Sequence, residues 1–400
     1  MRILYHHRTQ AEDGQAVHIR ALAGAFEGLG HELHEVSLVK RATEKASDPG
    51  TNGASRPKGS KWGWVTHLPR FARELAEYGY NAVAKQALLK EAAFFEPDFL
   101  YERYAFGNAA GVQVARRLRK PLVLEVNSPM VLELQKTRGL SFPRLAKRLE
   151  DFIFCAADRV CAVTEVLADM LVEHGVERER ILVTPNGVDL ERYRFDDPAA
   201  ARQAALEELG LSRVGGEEPL VLGFVGYYRP WHRLDVCLRA LEHPDLQHAV
   251  LALIGHGPAR EELEREAAER GLSKRLFFCG SKAHADIPRL LNAFDVALIP
   301  AINAYASPLK LHEYMAASLP VIAPDQPNLR EVLTHDMDAL LIPPGDHEAM
   351  ADALVKLGTG AELRRRLGSS ARRTIEEKDL TWCANARRVV EAVQGLKGVV

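Results

Sequence analysis

The chain has 400 residues, which at roughly 100–200 residues per domain allows two or three domains. With 47% apolar and 26% charged residues it has the make-up of a globular protein that buries large cores, and its net charge of −2 excludes a strongly basic nucleic-acid binder. Five cysteines without a C-x-x-C pair speak against a zinc ribbon or redox motif, and no apolar run reaches the roughly 18 residues of a membrane span.

In chain order, MRILYHHRT opens as a strand with no apolar leader segment behind it, so a cytoplasmic chain with reduced cysteines is expected. The stretch 16–29 has helical periodicity and stops at Gly30. HELHEVSLV, DFLYERY, PLVLEVN, RVCAVT and ILVTPN follow as short β-rich runs separated by helical segments. Residues 42–61, ATEKASDPGTNGASRPKGSK, have almost nothing to bury and predict a functional or disordered loop. The polar stretch from Asp196 to Glu218 interrupts the alternation. It restarts with PLVLGFVGYY, AVLALIGHG, RLFFCGS, DVALIPA, PVIAPD and ALLIPPGD, again with helices between. This predicts an α/β protein of two doubly wound units joined near residue 200. DLTWCANARRVVEAVQGL closes the chain as a separate helix entered through Asp379.

Ligands of open α/β sheets bind beyond the carboxyl ends of the strands, and a cleft between two such units is the expected site. In the second unit those ends carry Gly226, Arg229 and His232 (GFVGYYRPWHRLD), Gly255-x-Gly257 (LIGHGP) and Gly280-Ser281-Lys282. After DVALIPA comes INAYASPLKLHEYMAASLPVIAP. A helix starting at Ser307 or Pro308 would present free N–H groups and the positive end of its dipole, an anion site. Lys310 in its first turn is electrostatically misplaced unless something negative, such as a diphosphate, meets it. Glu313, about one turn on, reaches a hydroxyl pair such as a ribose. In the first unit Gly14 and Gln15 open a helix, His18 lies one turn in, and Asn127 and Ser128 follow another strand.

The ordered set TPNGVDLERY, GFVGYYRPWHRLD, LIGHGP, SPLKLHEYMAASLPVIAPD and DLTWCANARRV resembles the retaining glycosyltransferases of family 4, across essentially the whole chain. The resemblance implies a GT-B fold, with an acceptor-side domain over 1–195, a nucleotide-sugar domain over 196–378 and a closing helix over 379–400 that packs back toward the first domain. It implies that Lys310 and Arg229 neutralise a donor diphosphate cradled by the N–H groups of Ser307, Leu309 and Lys310, and that Glu313 binds the ribose. Ser281 and Lys282 would meet the base, and Gly14–Gln15 would approach the phosphates. Gly226, His232 and Gly257 would line the donor side, and His18, Asn127 and Ser128 the acceptor or sugar side.

Two positions depart from the family pattern. Tyr305 stands where a glutamate is common, and His232 where a lysine is common. The expected activity is retaining transfer from a nucleotide-sugar, a UDP-sugar first among them, without cofactor or catalytic metal. A sugar-nucleotide epimerase and a non-catalytic nucleotide-sugar sensor are the alternatives. A phosphorylase lacks its lysine motif, and a nicotinamide dehydrogenase lacks G-x-G-x-x-G.

The balanced net charge hides an asymmetry. Residues 51–150 hold 17 Lys/Arg against 9 Asp/Glu, a local +8 that leaves −10 for the rest. Trp62 and Trp64 beside Lys58 and Lys61, with Lys136, Arg138, Arg144, Lys147 and Arg148, predict either a lipid-linked or anionic acceptor met at a membrane surface, or an ordinary basic face with a soluble acceptor.

Overall fold

A computed structural model of the chain describes residues 1–9, 14–37, 68–211 and 218–397. The 42–61 segment and Lys58, Lys61, Trp62 and Trp64 lie outside the described residues. The chain divides into two compact units, Met1–Thr184 with Asn385–Val400, and Pro185–Ala384.

The first unit is built on six parallel strands: β1 (Arg2–His7), β2 (Glu32–Ser37), β3 (Phe99–Arg103), β4 (Leu122–Val126), β5 (Arg159–Ala162) and β6 (Ile181–Val183). Their order is β2-β1-β3-β4-β5-β6. The second has β7 (Leu220–Tyr227), β8 (Ala249–His256), β9 (Leu276–Phe278), β10 (Val296–Leu298), β11 (Val321–Pro324) and β12 (Ala339–Ile342), also all parallel. Their order is β12-β11-β10-β7-β8-β9. Each predicted β-rich run contains one of these strands. Helices cover both faces, so the strands are apolar on both sides rather than alternating. On β7, Leu220, Leu222 and Phe224 enter one core cluster and Val221 the other.

Strand order fixes where a ligand can enter. In the first unit β1 pairs with both β2 and β3, so successive connections leave it in opposite directions. In the second, β7 lies between β8 and β10 in the same way. Crevices open at such switch points, at the carboxyl ends of the strands. Residues just after β1, β3, β7 and β10 are therefore the ones placed to meet a ligand.

Two local expectations are corrected. The polar stretch after residue 195 contains a helix, Pro198–Leu209, capped by Asp197, which accepts from the Ala200 N–H at 3.0 Å, and closed by Gly210 in the left-handed region. Its alanine-rich sequence carries little apolar stripe for periodicity to find. The last helix, Trp382–Lys397, is entered through Thr381 rather than Asp379: Thr381 Oγ1 accepts from the Ala384 N–H at 3.1 Å, and Asp379 in turn accepts from the Thr381 hydroxyl.

Candidate active site

The β7/β10 crevice of the second unit gathers the GFVGYYRPWHRLD and SPLKLHEYMA stretches. β7 runs out through Gly226 at φ +139°, a conformation that favours glycine. A Cβ there would stand 2.9 Å from Lys310 Nζ. Lys310 is the second residue of the helix Leu309–Ala316, and its ammonium lies 3.7 Å from the centre of the Phe224 ring. The His232 ring lies against the same Phe224, 5.4 Å between centroids. Among the described residues, no carboxylate stands at ion-pair distance from Lys310. Burial lowers its pKa to about 7, with Glu313 opposing. Burial, then the charges of Lys310 and Arg229, lower His232 to about 4. At neutral pH His232 is therefore uncharged, and Lys310, in a site that disfavours its charge, is about half protonated.

The loop before this helix is pinned by two buried asparagines. Asn186, from the PNGVD stretch, donates its N–H to Ser307 Oγ at 3.1 Å and its side-chain amide to the Ser307 carbonyl. Asn328 donates to the carbonyls of Asn303 and Ala306, at 3.2 and 2.7 Å. Gly187 is required by close approach: a Cβ would lie 2.5 Å from the Trp382 backbone N, so PNGVD and DLTW pack on each other. The helix begins at Leu309, one residue after Pro308 and two after Ser307, and Pro308 is its N-cap without a side-chain cap. The N–H groups of Leu309 and Lys310 have no intrahelical acceptor. Tyr314 accepts from the Val225 N–H at 2.8 Å and so ties the helix to β7. Tyr305 brings a hydroxyl, not a carboxylate, near Asn303.

The other predicted residues separate. Glu313 is buried, and one carboxylate oxygen takes His284 Nε2 at 2.6 Å, so His284 orients it. Ser281 Oγ meets His256 Nδ1 at 2.8 Å, at the end of β8. Lys282 is committed to Glu208 at 3.2 Å, in a network that also holds Arg289. Gly257 serves the chain itself, since a Cβ would lie 2.3 Å from Tyr228 N. Arg229 is exposed and stacked between Tyr227 and Trp231, at 4.8 and 4.7 Å.

In the first unit the β1/β3 crevice holds a cavity of about 540 Å³, lined among others by Arg8, Gln15, Glu77, Arg103, Asn127, Ser128, Glu133 and Arg138. Gln15, Asn127 and Ser128 thus come together, with Gly14 opening the helix Gly14–Gly28 beside them. His18 sits behind, buried, with Nε2 3.1 Å from Glu125. Glu125 at 2% exposure also takes Arg103, the Asn127 amide and the Tyr101 hydroxyl. Burial opposes its ionisation, but His18 and Arg103 outweigh that and hold it well below the usual carboxylate range. Arg138, read from sequence as part of a basic face, turns to this cavity and pairs with Glu77. Glu125, Arg8 and His284 had no motif to announce them.

Two crevices of this kind in one chain agree with the comparisons to known proteins. Residues 13–192 match the family model described as Glycosyltransferase Family 4, and residues 213–374 that described as Glycosyl transferases group 1. The D-inositol 3-phosphate glycosyltransferase of Xylanimonas cellulosilytica is 30% identical over 374 residues, covering 90% of this chain and 86% of its own length. That of Saccharomonospora viridis is 28% identical over 329 residues, 77% and 74% of the two chains. The crystal structure of Anabaena Alr3699/HepE in complex with UDP shares the fold, with a TM-score of 0.72 at 17% identity over 99% of this chain and 100% of its own. The chain is therefore a glycosyltransferase of two Rossmann-like domains in the GT-B class, and it belongs to glycosyltransferase family 4.

Proposed function

We propose that this glycosyltransferase takes a UDP-sugar as donor and transfers the sugar to an acceptor hydroxyl with retention of configuration. The observation that carries the reading is Lys310, a cation without a carboxylate partner among the described residues, placed in the β7/β10 crevice beside two helix N–H groups with no intrahelical acceptor. A diphosphate supplies the charge this arrangement lacks. As the bond from the anomeric carbon to the diphosphate oxygen breaks, negative charge grows on the diphosphate, where Lys310 and those N–H groups stabilise it. The acceptor oxygen bonds to the anomeric carbon from the leaving-group side, and its proton passes to a diphosphate oxygen. Glu313, oriented by His284, holds the ribose hydroxyls. Arg229 approaches the diphosphate only after leaving its two aromatic rings. Lys282 has a reduced part, because Glu208 holds it away. UDP in the Anabaena neighbour supports the choice of base, and relatives named as glycosyltransferases favour transfer over the epimerase or sensor alternatives.

A panel of UDP-, GDP- and ADP-sugars, with the product anomer read by NMR, tests this. UDP-sugars are expected to turn over to a product with the donor's anomeric configuration. An inverted product would remove the retaining reading, and turnover with GDP- or ADP-sugars alone would remove the donor assignment.

Contact with an anionic membrane is proposed on the first unit. Phe71, Leu75, Phe142 and Leu145 are exposed, and the Ser141 and Phe142 N–H groups bond Glu74, which joins the two segments that carry them. Arg144, Lys147 and Arg148 are exposed on the helix Pro143–Ala156 beside them. Co-sedimentation with phosphatidylglycerol vesicles is expected, and Leu145→Glu should abolish it. Equal sedimentation with neutral vesicles, or none with either kind, would sink the idea.

A further inference from the structure

Three arginines line the first-unit cavity, and they are not equivalent. Arg103 is paired with Glu125, and Arg138 with Glu77. Arg8, the first residue beyond β1, has no carboxylate at ion-pair distance among the described residues. Its guanidinium lies 4.2 Å from the centre of the Tyr80 ring and donates Nη1 to the Phe106 carbonyl at 3.3 Å. Burial lowers its pKa, with Tyr80 and Glu77 opposing. A guanidinium presents five donors, and among the described residues the Phe106 carbonyl takes one of them.

The support beneath Arg8 is built from buried polar groups. Tyr80 is buried, with its hydroxyl 3.4 Å from His6 Nε2. His6 Nδ1 bonds Glu102, and both residues are almost fully buried. Room for the Glu102 carboxylate depends on Gly111, where a Cβ would lie 2.4 Å from Oε2. The line Glu102–His6–Tyr80 thus fixes the ring on which Arg8 rests. Buried polar groups that restrict a cationic side chain at a cavity wall pre-organise it for a ligand. Glu77 and Glu133 also line the cavity, and Glu77 pairs with Arg138 while lying close enough to raise the pKa of Arg8. Asn127, Ser128 and Gln15 offer neutral hydrogen-bonding groups to the remainder of a ligand.

We propose that this cavity selects acceptors carrying an anionic group, a phosphate or a carboxylate, which seats on Arg8 while the hydroxyls of the acceptor meet Asn127 and Ser128. This rests on reading the first unit as the acceptor side of the transferase. Arg8 is then a specificity-determining residue, and Tyr80 with His6 and Glu102 are positioning residues. The anion can belong to a soluble sugar or polyol phosphate, or to a lipid headgroup.

The experiment is calorimetry on the full chain. The probes are glucose 6-phosphate, myo-inositol 1-phosphate, glucuronate, neutral glucose, and phosphatidylcholine vesicles with and without phosphatidylinositol. At least one anionic probe should bind where glucose does not, and Arg8→Gln should weaken it by about tenfold or more. Arg8→Lys should restore part of the loss, and Tyr80→Phe, which keeps the ring but cuts its link to His6, should weaken binding less than Arg8→Gln does. Arg8-dependent binding confined to phosphatidylinositol vesicles would assign the anion to a headgroup, and binding of the soluble phosphates to a free acceptor.

UDP titrated into the same Arg8→Gln protein separates the two readings. Unchanged UDP affinity with lost anion binding is the expected pair. Failure of UDP to bind the wild type would count against the donor reading and leave the anion result to stand by itself. The proposal is overturned if glucose and the anionic probes bind alike, if no anionic probe binds in an Arg8-dependent way, or if Arg8→Gln weakens UDP and every probe equally, as a structural role would.

Discussion

Lys310→Ala is expected to lower kcat on a UDP-sugar by about 10²–10³-fold, the range seen when one fixed donor to a developing negative charge is removed. The side chain is placed for little else. Its ammonium lies on the Phe224 ring under Gly226, where burial works against its charge. An ion held so gives up stability unless a partner arrives. Lys310→Met keeps the packing on Phe224 and removes the ion, so it should lose activity to a similar degree while unfolding at a higher temperature. Kinetics alone could mislead, because a misfolded variant is also inactive, and the thermal midpoint separates the cases. Lower stability with lost activity would mean that Lys310 holds the fold rather than the leaving group.

Glu125 carries the largest expected effect on stability. Glu125→Ala leaves Arg103 and His18 facing a void in the first unit, and breaking a buried ionic cluster of this kind costs about 3–5 kcal/mol. Chemical denaturation followed by a probe in the first unit checks this. A loss below about 1 kcal/mol, the ordinary value for an exposed pair, would contradict it. The effect should also depend on pH. Glu125 has a depressed pKa when folded, so its contribution is present above the unfolded carboxylate value of about 4.3 and is lost as pH falls toward the folded value. The stability gap between wild type and Glu125→Gln should therefore be constant from neutral pH down to about 5 and narrow below about 4. A gap that instead widened in acid would show that His18 and Arg103 do not stabilise the carboxylate.

The twelve strands were legible because each is a compact β-rich run between helical segments, and parallel strands need no long-range information to be seen. The placement of Lys310 and Glu313 on one helix was legible for a related reason, since their spacing is a property of that helix. What surrounds the pair was not legible. Asn186 reaches Ser307 across 121 positions, and His284 reaches Glu313 across 29. The resemblance alone has Lys282 meet a base, and nothing local hints at Glu208, 74 positions away. Arg8 follows a strand end like many arginines, and only the pairing of Arg103 and Arg138 elsewhere distinguishes it. The helix Pro198–Leu209 was hidden for a different reason, since an alanine-rich helix gives periodicity little contrast.

Titration of UDP into wild type and Lys310→Met between pH 6 and pH 9 reaches the central claim most directly. The terminal phosphate of UDP, with a second pKa of about 6, is ionised over most of this range. Lys310, at about 7 in the free protein, must be protonated to meet it. Wild-type affinity is expected to fall by about tenfold per pH unit above about 7, with proton uptake visible as a buffer-dependent enthalpy. Lys310→Met should bind weakly and without that dependence. No UDP binding by the wild type, or binding indifferent to both pH and Lys310, would contradict the assignment of this crevice to the donor diphosphate.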